Sequence, residues 1–255
     1  MAELPASVRL SLWTTYAWAR GIPAQDVVAR ALPDIDHVAG DLDRLMIWHE
    51  LGEQALLVAL PSPGDLSGMP GASPSAQASA AQVGECVFVP AVGGMLVPVM
   101  SSYGSGPGGS LDLGTRVDWT AYDADPVPRH RVEALEPSQL ERHLREAIAS
   151  AVATLDDVGG QPFAGHAARE LADTALGGRW GLPDGLPGRS ARVIALAGTV
   201  GQVVEVALDA GDGALTATAS GARHTTLLRL RRAADDALAA ATNAACAVLA
   251  GWRPA

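Results

Sequence analysis

Lysine is absent from the chain: all eighteen basic residues are arginine. That excludes a Schiff-base lysine, a phosphate-loop lysine and a lysine general base together. A GC-rich genome is the simplest source of the bias. Aromatic residues make up 4% of the 255 residues and charged ones 18%, against 48% hydrophobic, so the core has to be built mainly from Ala, Val and Leu. Positive charge is scarce. A net charge of −10 argues against a nucleic-acid-binding face, which needs a basic patch, and reads as a solubility feature. Of the two cysteines, Cys86 sits in an apolar strand pattern and Cys246 in an alanine-rich helix pattern. Both are expected to be buried free thiols, because free cysteine packs as a small hydrophobe. The start of the chain, Met1 to Pro5, has no basic n-region or apolar h-region. No apolar run is expected to approach the roughly 18 residues of a membrane span, so a cytoplasmic location is expected.

Catalytic spacings are missing as well. None of His37, His49, His130, His143, His166 and His224 falls in HxH, HExxH or a Cys/His metal spacing. His49-Glu50 begins like a zincin motif, but position 53 is Glu and the pattern fails. Each histidine therefore reads as a surface or capping residue, with His143 and His224 on exposed helix faces. No GxSxG elbow occurs, and Gly104-Ser105-Gly106 lacks the strand-to-helix context of a nucleophile. Cys86 has no basic neighbour in sequence to lower its pKa. No catalytic residue, metal site or cofactor is assigned, and the balance leans away from an enzyme.

What is present begins at Gln54–Pro61, a short apolar run ending in the loop Ser62-Pro-Gly-Asp-Leu-Ser-Gly-Met-Pro-Gly71. The run reads as a buried, central strand. Ser73-Pro74 then reads as the N-cap and first residue of a helix. Upstream, helical spacing predicts helices over 6–20, closed by Gly21, over 24–32, and from an Asp41 cap to Gly52. Downstream come a small-residue helix over 74–83 and strands over 85–90 and 95–101, with Gly93-Gly94 as hairpin punctuation. Pro98 lacks a ladder donor and predicts an edge strand. A glycine-rich flexible loop, 103–114, precedes the strand 116–122, in which Val117, Trp119 and Ala121 face one way. Residues 125–132 read as a linker or surface strap. Beyond it only helices are predicted: 137–156, 166–176, 189–210 and 217–249. For 189–210, the helical spacing of Val193, Leu196, Val200 and Val203 outweighs a strand reading.

The fold expectation is therefore α+β: an α/β portion over 1–125 with a small, mainly antiparallel sheet, a linker over 126–136, and a helical bundle over 137–255 packed against it. Arg231 and Arg232 stand four residues before Asp235 and Asp236, the spacing of a solvated or interhelical salt-bridge face. Trp13, Trp18, Trp48 and Trp119 read as core anchors.

Leu60 to Gly71, with Trp13 to Gly21 upstream, resembles a group of uncharacterised actinobacterial proteins carrying an LPxPGDxxGxPG stretch. The resemblance marks the loop as a signature and implies no activity. Two function classes stay open. One is a non-enzymatic binding, regulatory or assembly protein, whose apolar helical stripes suit a protein partner or a homodimer through the C-terminal helices. The other is an enzyme or small-molecule binder with a site between loops 61–71 and 103–114. There Gly64, Asp65, Gly68 and Gly71 would let a ligand approach, Ser75 would mark free N–H groups at a helix start, and Arg116 would neutralise an anion. Asp65 equally suits an Asx turn.

Overall fold

A computed structural model describes residues 3–23, 25–104, 114–158, 180–209 and 217–254. The fold is α+β. Five strands form one mixed sheet, and long helices follow. In chain order the elements are α1 (Ala6–Trp18), α2 (Gln25–Ala31), β1 (His37–Gly40), α3 (Asp43–Glu50), β2 (Leu57–Ala59), α4 (Pro74–Val83), β3 (Cys86–Phe88), β4 (Met95–Tyr103), β5 (Gly114–Tyr122), α5 (Arg129–Glu133), α6 (Pro137–Val158), α7 (Gly188–Asp209) and α8 (Ala217–Leu249). The chain forms two compact units. One comprises Leu4–Leu135, Gly181–Leu186 and Thr242–Ala255, the other Met1–Glu3, Glu136–Trp180 and Pro187–Ala241.

In the sheet-bearing unit the strand order is β1-β5-β4-β3-β2, with only the β1–β5 pair parallel. Three expectations change here. First, β2 lies at an edge of the sheet, not at its centre. Its complete burial made it look central, but that burial comes from side chains that close its open flank. Asn243 accepts from Val58 N at 2.8 Å and donates to Val58 O at 2.9 Å, as a neighbouring strand would. Thr15 Oγ1 accepts from Leu56 N at 3.0 Å, and Ser11 Oγ donates to Leu56 O at 2.6 Å.

Second, β1 was not foreseen. It is four residues long and only partly buried, so it carries no hydrophobic periodicity. Aspartates at its two ends hold it in place: Asp36 Oδ2 accepts from Thr115 N at 2.7 Å, and Asp41 Oδ2 accepts from Ala121 N at 2.8 Å. Asp41 is thus spent on β5, and the N-cap position of α3 is Leu42, with no side-chain cap bond. Gly40 is required at the end of β1, because its φ is +97° and an added Cβ would stand 2.1 Å from Trp119 O.

Third, β4 is interior in the sheet order, although Pro98 had predicted an edge. Pairing with β3 covers only Met95 and Leu96. Val89 N donates to Gly94 O, and Val87 pairs with Leu96, so even-numbered β4 residues turn their backbone groups toward β3. At Pro98 β3 has ended. The missing donor falls on a locally unpaired flank, so the proline rule holds residue by residue while failing for the strand.

Ser73 caps α4 as expected, accepting from Ala76 N at 3.3 Å, and Gly84 ends the helix with φ +88°. Helix α1 is buried around most of its circumference, which makes it the element about which this unit is built. Its N-cap residue, Pro5, offers no side-chain bond. Glu85 substitutes by accepting from Ser7 N at 2.7 Å. The core joins Leu10 and Trp18 of α1 with Leu45 and Trp48 of α3 and with Val87, Leu96, Val117 and Trp119 of the sheet. The strap after β5 carries the unforeseen helix α5 and is tied back by Asp125 N to Gly71 O at 2.6 Å and Val127 N to Pro90 O at 2.8 Å.

In the other unit α6, α7 and the first part of α8 pack together. Val204, Ala207 and Leu227 form a cluster joined by Leu155, Val200 and Leu230. Helix α7 covers Gly188–Asp209, the helix that the spacing predicts for this stretch. Arg231 bridges Asp235 on its own helix at 3.0 Å and Glu205 of α7 at 3.5 Å, the salt-bridge face expected from sequence. One expectation is corrected: α7 is long and apolar enough, by length and composition, to cross a bilayer, with a mean hydropathy of 1.5 over its most apolar 18 residues. Core helices meet the same criterion, and Val193, Ile194, Ala197 and Val204 are buried within this protein. The segments 105–113 and 166–176, expected to be a flexible loop and a helix, lie outside the described residues.

Candidate functional site

The residues named from sequence occupy structural positions. Ser62 and Asp65 exchange backbone hydrogen bonds at 2.9 Å in both directions, closing a turn in which Gly64 has φ +85°. The Asp65 carboxylate accepts from Ser67 N at 2.9 Å and Ser67 Oγ at 2.5 Å, the Asx-turn geometry. Gly68 has φ +81°, and a Cβ on Gly71 would meet Asp125 Oδ2 at 2.3 Å. Ser75 Oγ lies 3.0 Å from Ser73 Oγ. Arg116 forms a two-pronged pair with Asp118 at 2.5 and 2.6 Å. This bond holds the Asp118 carboxyl below its ordinary range and raises the guanidinium. The loop after β2 and Arg116 on β5 lie three strand spacings apart, on the order of 14 Å at about 4.8 Å per strand. Most of the second loop lies outside the described residues.

A cleft opens elsewhere in the same unit, between α2 and α3 and over β1. It holds about 500 Å³ and is lined by Trp18, Ile22, Pro23, Val28, Val38, Leu42, Leu45, Met46 and His49, with Gln25 and Asp43 as its other polar members. Sequence spacing explains one wall: Leu42, Leu45, Met46 and His49 fall at i, i+3, i+4 and i+7, a single face of α3. Leu45 is buried, whereas Met46 is 52% exposed. A helix stripe that would normally be covered is left open here.

The imidazole of His49 stacks on the indole of Trp18, with centroids 5.3 Å apart and planes 5° from parallel. Its Nδ1 lies 3.1 Å from Glu53 O. Glu53 is itself fixed: it is buried, its N–H donates to Trp48 O at 3.0 Å, and Oε1 accepts from Ala91 N at 2.7 Å and Val92 N at 2.6 Å. Burial raises the Glu53 pKa, opposed by those two backbone donors. The hairpin turn before β4 is therefore joined through Glu53 to the histidine of the cleft.

The two thiols are shielded. Cys86 and Cys246 are buried free thiols, as expected, and burial pushes them up to about 12 and about 11. His143 and His224 are exposed on helices. Among the described residues no group of three or more His, Cys, Asp or Glu side chains is placed to hold a metal ion.

Two family models match the chain, the Rv1486c-like protein N-terminal domain over residues 7–135 and the Rv1486c-like protein C-terminal domain over 138–239. The chain belongs to the Rv1486c-like protein family. No curated protein and no solved structure matches it. Every residue of the cleft, and the 60–71 loop, falls within the part matched by the family's N-terminal domain. Sequence reasoning missed the cleft because it weighed His49 and Trp18 separately. The i, i+3, i+4, i+7 pattern ending in His49 was the available signal, and the stack on Trp18 has no signature in spacing.

Proposed function

We propose that this member of the Rv1486c-like family is a non-enzymatic binding protein that takes a small, mainly apolar molecule in the cleft between α2 and α3. The observation that carries the reading is the cleft itself. Its volume of about 500 Å³ lies within the range of roughly 300–1,000 Å³ typical of small-molecule sites, which are apolar with a few placed polar groups. Met46 adds an adaptable wall. The shielded thiols and the paired Arg116 support binding over chemistry. The test is a thermal-shift screen of aromatic fragments against the full chain and against Val28→Trp, which fills the cleft. Fragments that raise the midpoint of the wild type and leave Val28→Trp unmoved support the reading. Fragments that stabilise both proteins equally, or none that stabilise the wild type, contradict it.

A further inference from the structure

The His49 contact with Glu53 fixes more than the position of the ring. A carbonyl oxygen only accepts, so Nδ1, 3.1 Å from Glu53 O, carries the proton in the neutral ring, and Nε2 is left with a lone pair. No other hydrogen bond engages the ring among the described residues. The stack on Trp18, 5° from parallel, fixes the ring plane. The Glu53 backbone is anchored through its N–H to Trp48 and through its carboxylate to the 91–92 turn. The acceptor is therefore pre-organised at two points before any ligand arrives. The remaining polar lining, Asp43 and Gln25, adds acceptors, the amide donor of Gln25 and one negative charge, and no arginine lines the cleft among the described residues. Such a lining disfavours anions. A flat apolar surface beside a fixed acceptor suits a planar molecule that carries a donor.

We infer that the cleft selects planar, uncharged or cationic aromatic molecules bearing an N–H or O–H donor, which they give to His49 Nε2. Glu53 acts as a positioning residue that sets the tautomer. This inference rests on the cleft being the binding site, and the experiment separates the two. Indole serves as the probe, with 1-methylindole and the nearly isosteric indene as comparators that lack the donor. Calorimetric titration of the full chain near pH 8 is expected to give indole a Kd at least tenfold lower than either comparator. In His49→Phe, which keeps an aromatic ring on Trp18, the three values are expected to fall within twofold of one another. Nitrogen NMR of the wild type provides a readout that needs no variant: indole shifts the His49 Nε2 signal, and 1-methylindole leaves it in place. Equal affinities in the wild type, or an unmoved Nε2 under saturating indole, overturn the donor selection while leaving the cleft reading intact. Failure of all three probes to bind overturns both.

Discussion

At the scale of single residues, Glu53 accepts from two backbone donors, and burial raises its pKa. Glu53→Ala leaves the N–H groups of Ala91 and Val92 without their acceptor and is expected to cost about 2 kcal/mol, read from chemical denaturation. Glu53→Gln keeps an acceptor oxygen and is expected to cost less. The pH dependence follows from the direction of the shift. The folded-state pKa of Glu53 lies above its ordinary 4.5, so below that folded value the native state holds the proton more firmly than the unfolded chain. The wild type is therefore expected to gain stability relative to Glu53→Gln as pH falls from the folded pKa toward about 4.5, and to gain nothing further below it. A difference that ran the other way would show that the 91–92 donors outweigh burial. The two thiols give a simpler expectation. With pKa values raised to about 12 and about 11, neither is expected to react with a disulfide reagent at pH 8 until the protein unfolds, when two equivalents react. Both thiols were legible from their apolar surroundings in sequence. Glu53 was not, because its partners lie almost forty residues away.

At the scale of elements, what could be read was whatever carried its own period. Helices α1, α6, α7 and α8 announce themselves by apolar spacing, α4 by Ser73-Pro74, and β5 by alternation. What could not be read was held by partners distant in sequence. Strand β1 exists because Asp36 and Asp41 reach β5, and β2 is buried at an edge because Asn243 closes its flank. Asn243→Ala is therefore expected to destabilise the protein by about 2 kcal/mol, with Asn243→Leu no better, since either leaves both polar groups of Val58 unpaired. A midpoint unchanged by both variants would show that water replaces the amide. Gly40→Ala is expected to cost on the order of 2–3 kcal/mol, because the left-handed φ and the contact with Trp119 O act together. Since Val38 on β1 lines the cleft, that variant is also expected to weaken binding there more than Asn243→Ala does.

At the scale of the whole molecule, α+β architecture was visible in the change from mixed to purely helical patterns after residue 125. The cleft was not, since it combines the end of α1, the start of α2, β1 and one face of α3, and only the last has a recognisable spacing. The loop at 60–71, the most conspicuous stretch of the sequence, is occupied with its own turn through Asp65 and with the strap through Gly71. Gly64 and Gly68 have positive φ, and Gly71 leaves room for the Asp125 carboxylate.

The five methionines give the most direct test of the cleft as the binding site. Met46 lines it, Met95 is buried in the sheet, and Met100 is exposed on β4. In a methyl NMR titration of the full chain with indole, the Met46 signal is expected to shift and saturate while those of Met95 and Met100 stay in place. A Met46 signal that does not move while indole binds, or shifts led by Met95 or Met100, would contradict the account.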